Sequence, residues 1–292
     1  MESSPAKTHA YLIMAHNNFQ QLQMLISLLD DPRNDIYLHI DKKASSFTPD
    51  AICVQHATLV LINRISVNWG GHSQITCELN LLKAAIPKHY QYYHLISGVD
   101  LPLKTQDELH AFFDSGYPNN YIGFDEVANQ AGSFLPRINQ YHIFQDIIGR
   151  NPGLFIAVLE RLERYSLHLQ RKLGICRKQY IQPYKGTQWF SITDALAQYI
   201  LDHESLIKKQ FYHSICADEI FLHSISMASP YRDYIVKNSL RAIDWNRGNP
   251  YTYRQEDVEE LLQSSNLFAR KFDSRVDSTA IDKIVEHISN CN

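Results

Sequence analysis

The chain has 292 residues, 45% hydrophobic and 20% charged, which provides a sizeable core and excludes a fibrous or disordered protein. Its net charge of -3 argues against a dedicated nucleic-acid binder, so no nucleic-acid partner is expected. The 17 Tyr, 13 Phe and 3 Trp supply flat apolar faces that suit sugars and bases as well as cores.

In chain order, Met1–Pro5 is polar, and residues 1–8 read as a tail ahead of one domain over 9–292. Ala10–Ala15 is a brief apolar run that predicts a buried strand and is too short for a signal-peptide core. Asn17 is placed to cap a helix whose apolar face is Phe19, Leu22, Leu25, Ile26 and Leu29, stopped by Asp30-Asp31-Pro32. Strands are predicted at Ile36–Ile40, Thr58–Ile62 and Tyr92–Ile96, with a helix between the last two over His72–Ile86. Thr105-Gln106-Asp107-Glu108 is a capping box for a further helix through Phe113. This rhythm predicts an α/β fold with a mixed, largely parallel sheet flanked by helices. In such sheets ligands bind at the carboxyl ends of the strands, where Asp41, Ser97–Asp100 and the loop after Ala15 fall.

The segment from Arg137 to Lys185 holds nine Lys or Arg and three acidic residues. Within it Leu154, Val158, Leu162, Tyr165, Leu169 and Leu173 share one helical face, with Arg161, Arg164, Arg171 and Lys172 nearby. Such a helix either touches an anionic membrane surface or lipid-linked substrate, or packs on its own domain; packing is the expectation. No run reaches the roughly 18 apolar residues of a membrane span. Five scattered cysteines without a CxxC pair suit reduced thiols, so a cytoplasmic protein, at most peripheral to the membrane, is expected.

A P-loop, GxGxxG, GxSxG, HExxH and DxD are all absent. His39 and His94 fall in strand patterns and read as core histidines rather than metal ligands. Four segments stand out: Asn68-Trp69-Gly70-Gly71-His72-Ser73, Ser97-Gly98-Val99-Asp100 with its continuation to Thr105, Cys216-Ala217-Asp218-Glu219-Ile220-Phe221, and Leu267-Phe268-Ala269-Arg270-Lys271-Phe272-Asp273. With the Ala10–His16 strand and His39–Lys43 before them, this order resembles the core-2/I-branching N-acetylglucosaminyltransferases and the related peptide O-xylosyltransferases. The resemblance runs from about residue 9 to residue 277. It implies a GT-A-like, inverting, metal-independent UDP-sugar transferase acting on a carbohydrate hydroxyl, in a compact, bacterial-type form without the animal members' membrane anchor, stem and disulfide cysteines. The donor sugar so implied is N-acetylglucosamine, with xylose as the alternative; no cofactor or metal is expected. The acceptor is expected to be a lipid-linked intermediate of surface polysaccharide or glycolipid synthesis.

The resemblance assigns the catalytic base to Glu219, since inverting transfer needs a carboxylate to take the acceptor proton. From the sequence alone, Asp218 capping a helix with Glu219 in its first turn is the other reading. Lys271 and Arg247 match the family's phosphate cations, with Arg241 as the fallback, and flanking Phe268 and Phe272 are expected to pin Lys271 to the core. The same resemblance implies that Met14 and Asp41 fall at the uracil side and Asp100 near the donor sugar. Trp189, Trp245, Arg137 and Tyr141 are the acceptor-side candidates: rings stack on sugars, and Arg bonds hydroxyls or carboxylates. The rivals are a silent carbohydrate-binding or scaffold protein of the same fold, and a metal-dependent nucleotidyltransferase using Asp125-Glu126.

Overall fold

The computed structural model describes residues 8–290, so most of the polar tail and Cys291 lie outside the described residues. Its strands are β1 (His9–Ala15), β2 (Asn34–Ile40), β3 (Thr58–Leu61), β4 (Tyr92–Ser97), β5 (Asp100–Pro102), β6 (Asn120–Phe124), β7 (Gly186–Thr193), β8 (Ile235–Val236), β9 (Arg241–Ile243) and β10 (Phe268–Arg270). Seven form one sheet in the order β3-β2-β1-β4-β7-β6-β8, and β5-β10-β9 form a second. The predicted mixed, largely parallel α/β architecture is therefore present. β1, β2, β3 and β4 run parallel, whereas β7 is antiparallel to both neighbours.

From Ala10 to Ala15 β1 is apolar because it is covered on both faces. Tyr11, Ile13 and Ala15 join one core with the helices Phe19–Leu29, Gln106–Gly116 and Ser274–Asn290. Ala10 and Leu12 face the other, under the helices His72–Ala85, Asp194–Asp202 and Phe221–Ala228. His39 and His94 are buried as expected, His39 Nε2 accepting from Ile65 N at 3.0 Å and His94 Nδ1 lying 2.8 Å from Ser191 Oγ. The Thr105 capping box is formed.

Two local expectations are corrected. The cap before Phe19 is Asn18, not Asn17: its backbone turns left-handed at φ 50° and its amide reaches Gln21 and Ser274 at 2.8 and 2.9 Å. The helix Leu154–Lys172 exists, but its apolar stripe does not pack on the domain; Leu154 is 89% exposed and Tyr165 67%.

Candidate active site

Parallel pairing ends β1, β2 and β4 together, with Met14 opposite His39 and Ser97 in register. β7 enters from the other direction, so its start, Gly186 to Trp189, lies beside the carboxyl end of β4. Gln188 shows the result: its Nε2 donates to Glu78 Oε1 at 2.9 Å and lies 3.9 Å from Met14 Sδ. The antiparallel pairing of β5 and β10 sets Arg270 opposite Asp100.

The Trp69-Gly70-Gly71 and Cys216–Glu219 segments are stitched together. Cys216 N donates to Gly70 O at 2.9 Å, and Gln74 Nε2 donates to Asp218 Oδ2 at 3.0 Å. Gly70 has φ +70°, and a Cβ on Gly71 would fall 2.1 Å from Asp146 Oδ1, so this entry to the helix His72–Ala85 requires glycine twice. Asp218 is buried rather than capping a helix; burial, then the charge of Glu219, push its carboxyl up to about 7. Glu78, fully buried, is also raised by burial and by Asp218. Glu78 Oε2 and Asp218 Oδ1 have no hydrogen-bond partner among the described residues, as suits carboxyls that keep their protons.

Glu219 is half-buried on a single turn, Ala217–Glu219. Arg137 Nη1 donates to its Oε2 at 2.8 Å, and Lys185 Nζ stands 3.8 Å from the same oxygen. Thus Arg137, expected on the acceptor side, lies directly on the candidate base. Tyr141, four residues on, is held away by Gln170 and carries Arg177 over its ring at 5.0 Å. Trp245 is an exposed ring. Trp189 is buried with the Arg270 guanidinium 4.4 Å above it, so it is a wall rather than an open platform.

On the donor side, Asp41 Oδ1 accepts from Lys43 N at 2.8 Å and Oδ2 from Val67 N at 3.3 Å. Asp100 is fully buried, accepting from Ser97 N at 2.9 Å and from Arg270 Nη1 at 2.8 Å; Arg270 also bonds Ser97 Oγ. His16, just after β1, is close enough to feel both Asp41 and Arg270. Lys271 is half-buried between the fully buried Phe268 and Phe272, as expected. Its backbone bonds Tyr251 and Tyr253, and Arg247 lies 4.0 Å above the Tyr251 ring. Arg247 is itself exposed and paired with Asp244 and Asp257. The fallback Arg241 is placed in the core, and its Nε has no partner among the described residues. Its two terminal nitrogens bond Ser191 Oγ and three backbone carbonyls, and burial pulls it down to about 9.

Sequence reasoning missed Glu78, Gln188, Lys185 and Arg270. Two signals were available. Glu78 is an acid on the buried stripe of its helix, between Ile75 and Leu82, and Arg270 precedes the assigned Lys271. Asp125 and Glu126 are spent separately, Asp125 on a helix cap and Lys185, Glu126 on Lys237. Among the described residues no three His, Cys, Asp or Glu side chains are grouped to hold a metal ion.

The family model of the Core-2/I-Branching enzyme matches residues 9–264, and the chain belongs to that family of glycosyltransferases. Xylosyltransferase 2 of Rattus norvegicus is 22% identical over 98% of this chain and 34% of its own length. Xylosyltransferase 1 of Homo sapiens is 23% identical over 97% of this chain and 30% of its own. The chain thus spans about a third of the length of these relatives. The solved structure of mouse xyloside xylosyltransferase 1 aligns with 89% of this chain and 97% of its own, at 9% identity and a TM-score of 0.35.

Proposed function

We propose, from membership in this family, that the chain transfers a sugar from a UDP-sugar to a carbohydrate hydroxyl, with inversion and without a metal. The observation that carries the reading is Glu219, gripped through one oxygen by Arg137, with Lys185 Nζ 3.8 Å from the same oxygen. Oε2 is held, and Oε1 takes the acceptor proton. The acceptor oxygen then bonds the anomeric carbon on the face opposite UDP as the bond to UDP breaks and its electron pair passes to the diphosphate. Lys271, with Arg247 once it leaves its carboxylates, meets that charge in place of a metal. Met14 and Asp41 border the uracil, with Asp41 keeping lone pairs for its N3–H or a ribose hydroxyl. N-acetylglucosamine is the donor sugar proposed first. Xylose, named in the relatives, is the second. The free thiols of Cys53, Cys77, Cys176 and Cys216 support a reducing, cytoplasmic setting.

The test is calorimetric titration of UDP in excess chelator, followed by hydrolysis and transfer assays with UDP-N-acetylglucosamine and UDP-xylose. Binding in chelator is expected. Binding that appears only when Mn²⁺ is added would overturn the metal-independent cradle.

A further inference from the structure

The helix Leu154–Lys172 is mounted inside out. Its buried positions are Leu159, Glu163 and Gln170, and two of these three are polar. Glu163 Oε2 accepts from Phe144 N at 3.2 Å; Gln170 accepts from Tyr141 N at 2.8 Å and donates to Tyr141 O at 3.0 Å. Leu154, Phe155, Val158, Leu162, Tyr165 and Leu169 face out instead, between 41% and 89% exposed. Ile143 and Ile147, in the segment ahead of the helix, are each 50% exposed as well. A stripe of this kind left in water is unfavourable and marks a docking face.

The charges identify the occupant. With 3.6 residues per turn, Arg161, Arg164 and Arg171 line one flank of the stripe and Lys172 lies within it. All four cations are exposed, whereas Glu160 is the one exposed acid on the helix. A protein partner would have to bury this basic flank, and an antiparallel second copy would set two such flanks side by side. At a bilayer the apolar stripe enters the acyl boundary while the long basic side chains reach up to anionic headgroups. Among the described residues no helix is long and apolar enough to cross a membrane, so this one lies in the surface plane.

We infer that the helix Leu154–Lys172 docks the chain on an anionic lipid bilayer. Docking does not depend on the transfer reading, but one consequence rests on it. The loop that holds the helix begins at Gln140 and Tyr141, three and four residues after the Arg137 that grips Glu219. The bilayer then borders the acceptor side of the base, and the acceptor is a lipid-linked sugar presented at headgroup level.

The test is co-sedimentation of the full chain with vesicles of phosphatidylcholine alone or mixed with phosphatidylglycerol, at low and high salt. Retention on the mixed vesicles should exceed that on neutral ones by at least about tenfold and fall at high salt. Leu162→Glu with Tyr165→Glu should abolish retention, and Arg161→Glu with Arg164→Glu should remove the anionic preference. Both changes lie on the exposed face, so circular dichroism and UDP titration should match wild type. No retention of wild type on anionic vesicles at low salt overturns the inference, as does equal retention of both double variants. Self-association in sedimentation velocity, abolished by Leu162→Glu and unaccompanied by vesicle binding, would make the occupant a second copy instead. Vesicle binding needs no donor, so a failed UDP titration would sink the transfer reading and leave docking standing.

Discussion

Glu219 meets two cations through a single oxygen, Arg137 at 2.8 Å and Lys185 at 3.8 Å. That arrangement orients a carboxylate without consuming its second oxygen, which is what a general base requires. Glu219→Gln keeps the shape and removes the proton acceptor. We expect transfer to fall by roughly 10²–10⁴-fold while UDP affinity stays near wild type. Equal loss of both in parallel calorimetry and rate measurements would make the residue structural. Lys271 answers to the opposite test. It is half-buried with its backbone fixed by Tyr251 and Tyr253, so Lys271→Ala should leave the fold intact and weaken UDP by about tenfold or more. Unchanged UDP affinity in that variant would move the diphosphate elsewhere, with Arg270 the next candidate.

At the scale of elements, the donor side depends on how closely β4 leaves β1. Gly98 N donates to Met14 O at 3.0 Å, and a Cβ on Gly98 would lie 2.8 Å from Ala15 Cβ and 3.4 Å from Leu22 Cδ1. Gly98→Ala must therefore push the turn off β1, at a cost of about 1–3 kcal/mol. Urea unfolding should register that loss and calorimetry a weaker UDP, because the turn that bonds Met14 O and carries Ser97 and Asp100 shifts. Wild-type values in both would show that the turn yields freely. β1 to β4 were legible because an apolar strand followed by an amphipathic helix is a local pattern. The reversed β7 was not, since strand direction is set by where a long connection returns. For the same reason Trp189 could be chosen as a ring but not placed under Arg270. Asp100 was found at the right strand end, yet nothing local says that its carboxylate is spent on Arg270. The exposed stripe of the helix Leu154–Lys172 defied its periodicity because periodicity marks an apolar face and is silent on what that face meets.

At the scale of the whole molecule, the buried titratable groups set opposing slopes of stability with pH. His9, His94, His110 and His223 are all buried, and burial holds each below its ordinary value, His110 and His223 at about 4. Their folded forms stay neutral where the unfolded chain takes up protons, so their contribution is present above about pH 6.5 and is lost as pH falls toward 4. Asp218, pushed up to about 7, and Glu78 act in the reverse sense. They hold protons that the unfolded chain releases, a contribution present below about pH 4 and lost as pH rises, for Asp218 through about 7. His16, His39 and His213 are held down by burial as well, so the lowered histidines outnumber the two raised carboxyls and unfolding takes up protons on balance near pH 5. Stability should therefore climb from pH 4.5, crest near 6.5 and then decline as Asp218 ionises beside Glu219. Urea midpoints measured across that range should trace the crest. Asp218→Asn carries no proton to lose, so the alkaline decline should flatten while the acid limb stays. A decline of unchanged steepness in that variant would mean that Asp218 is already ionised in the folded chain, and that the site carries one more negative charge than its burial allows.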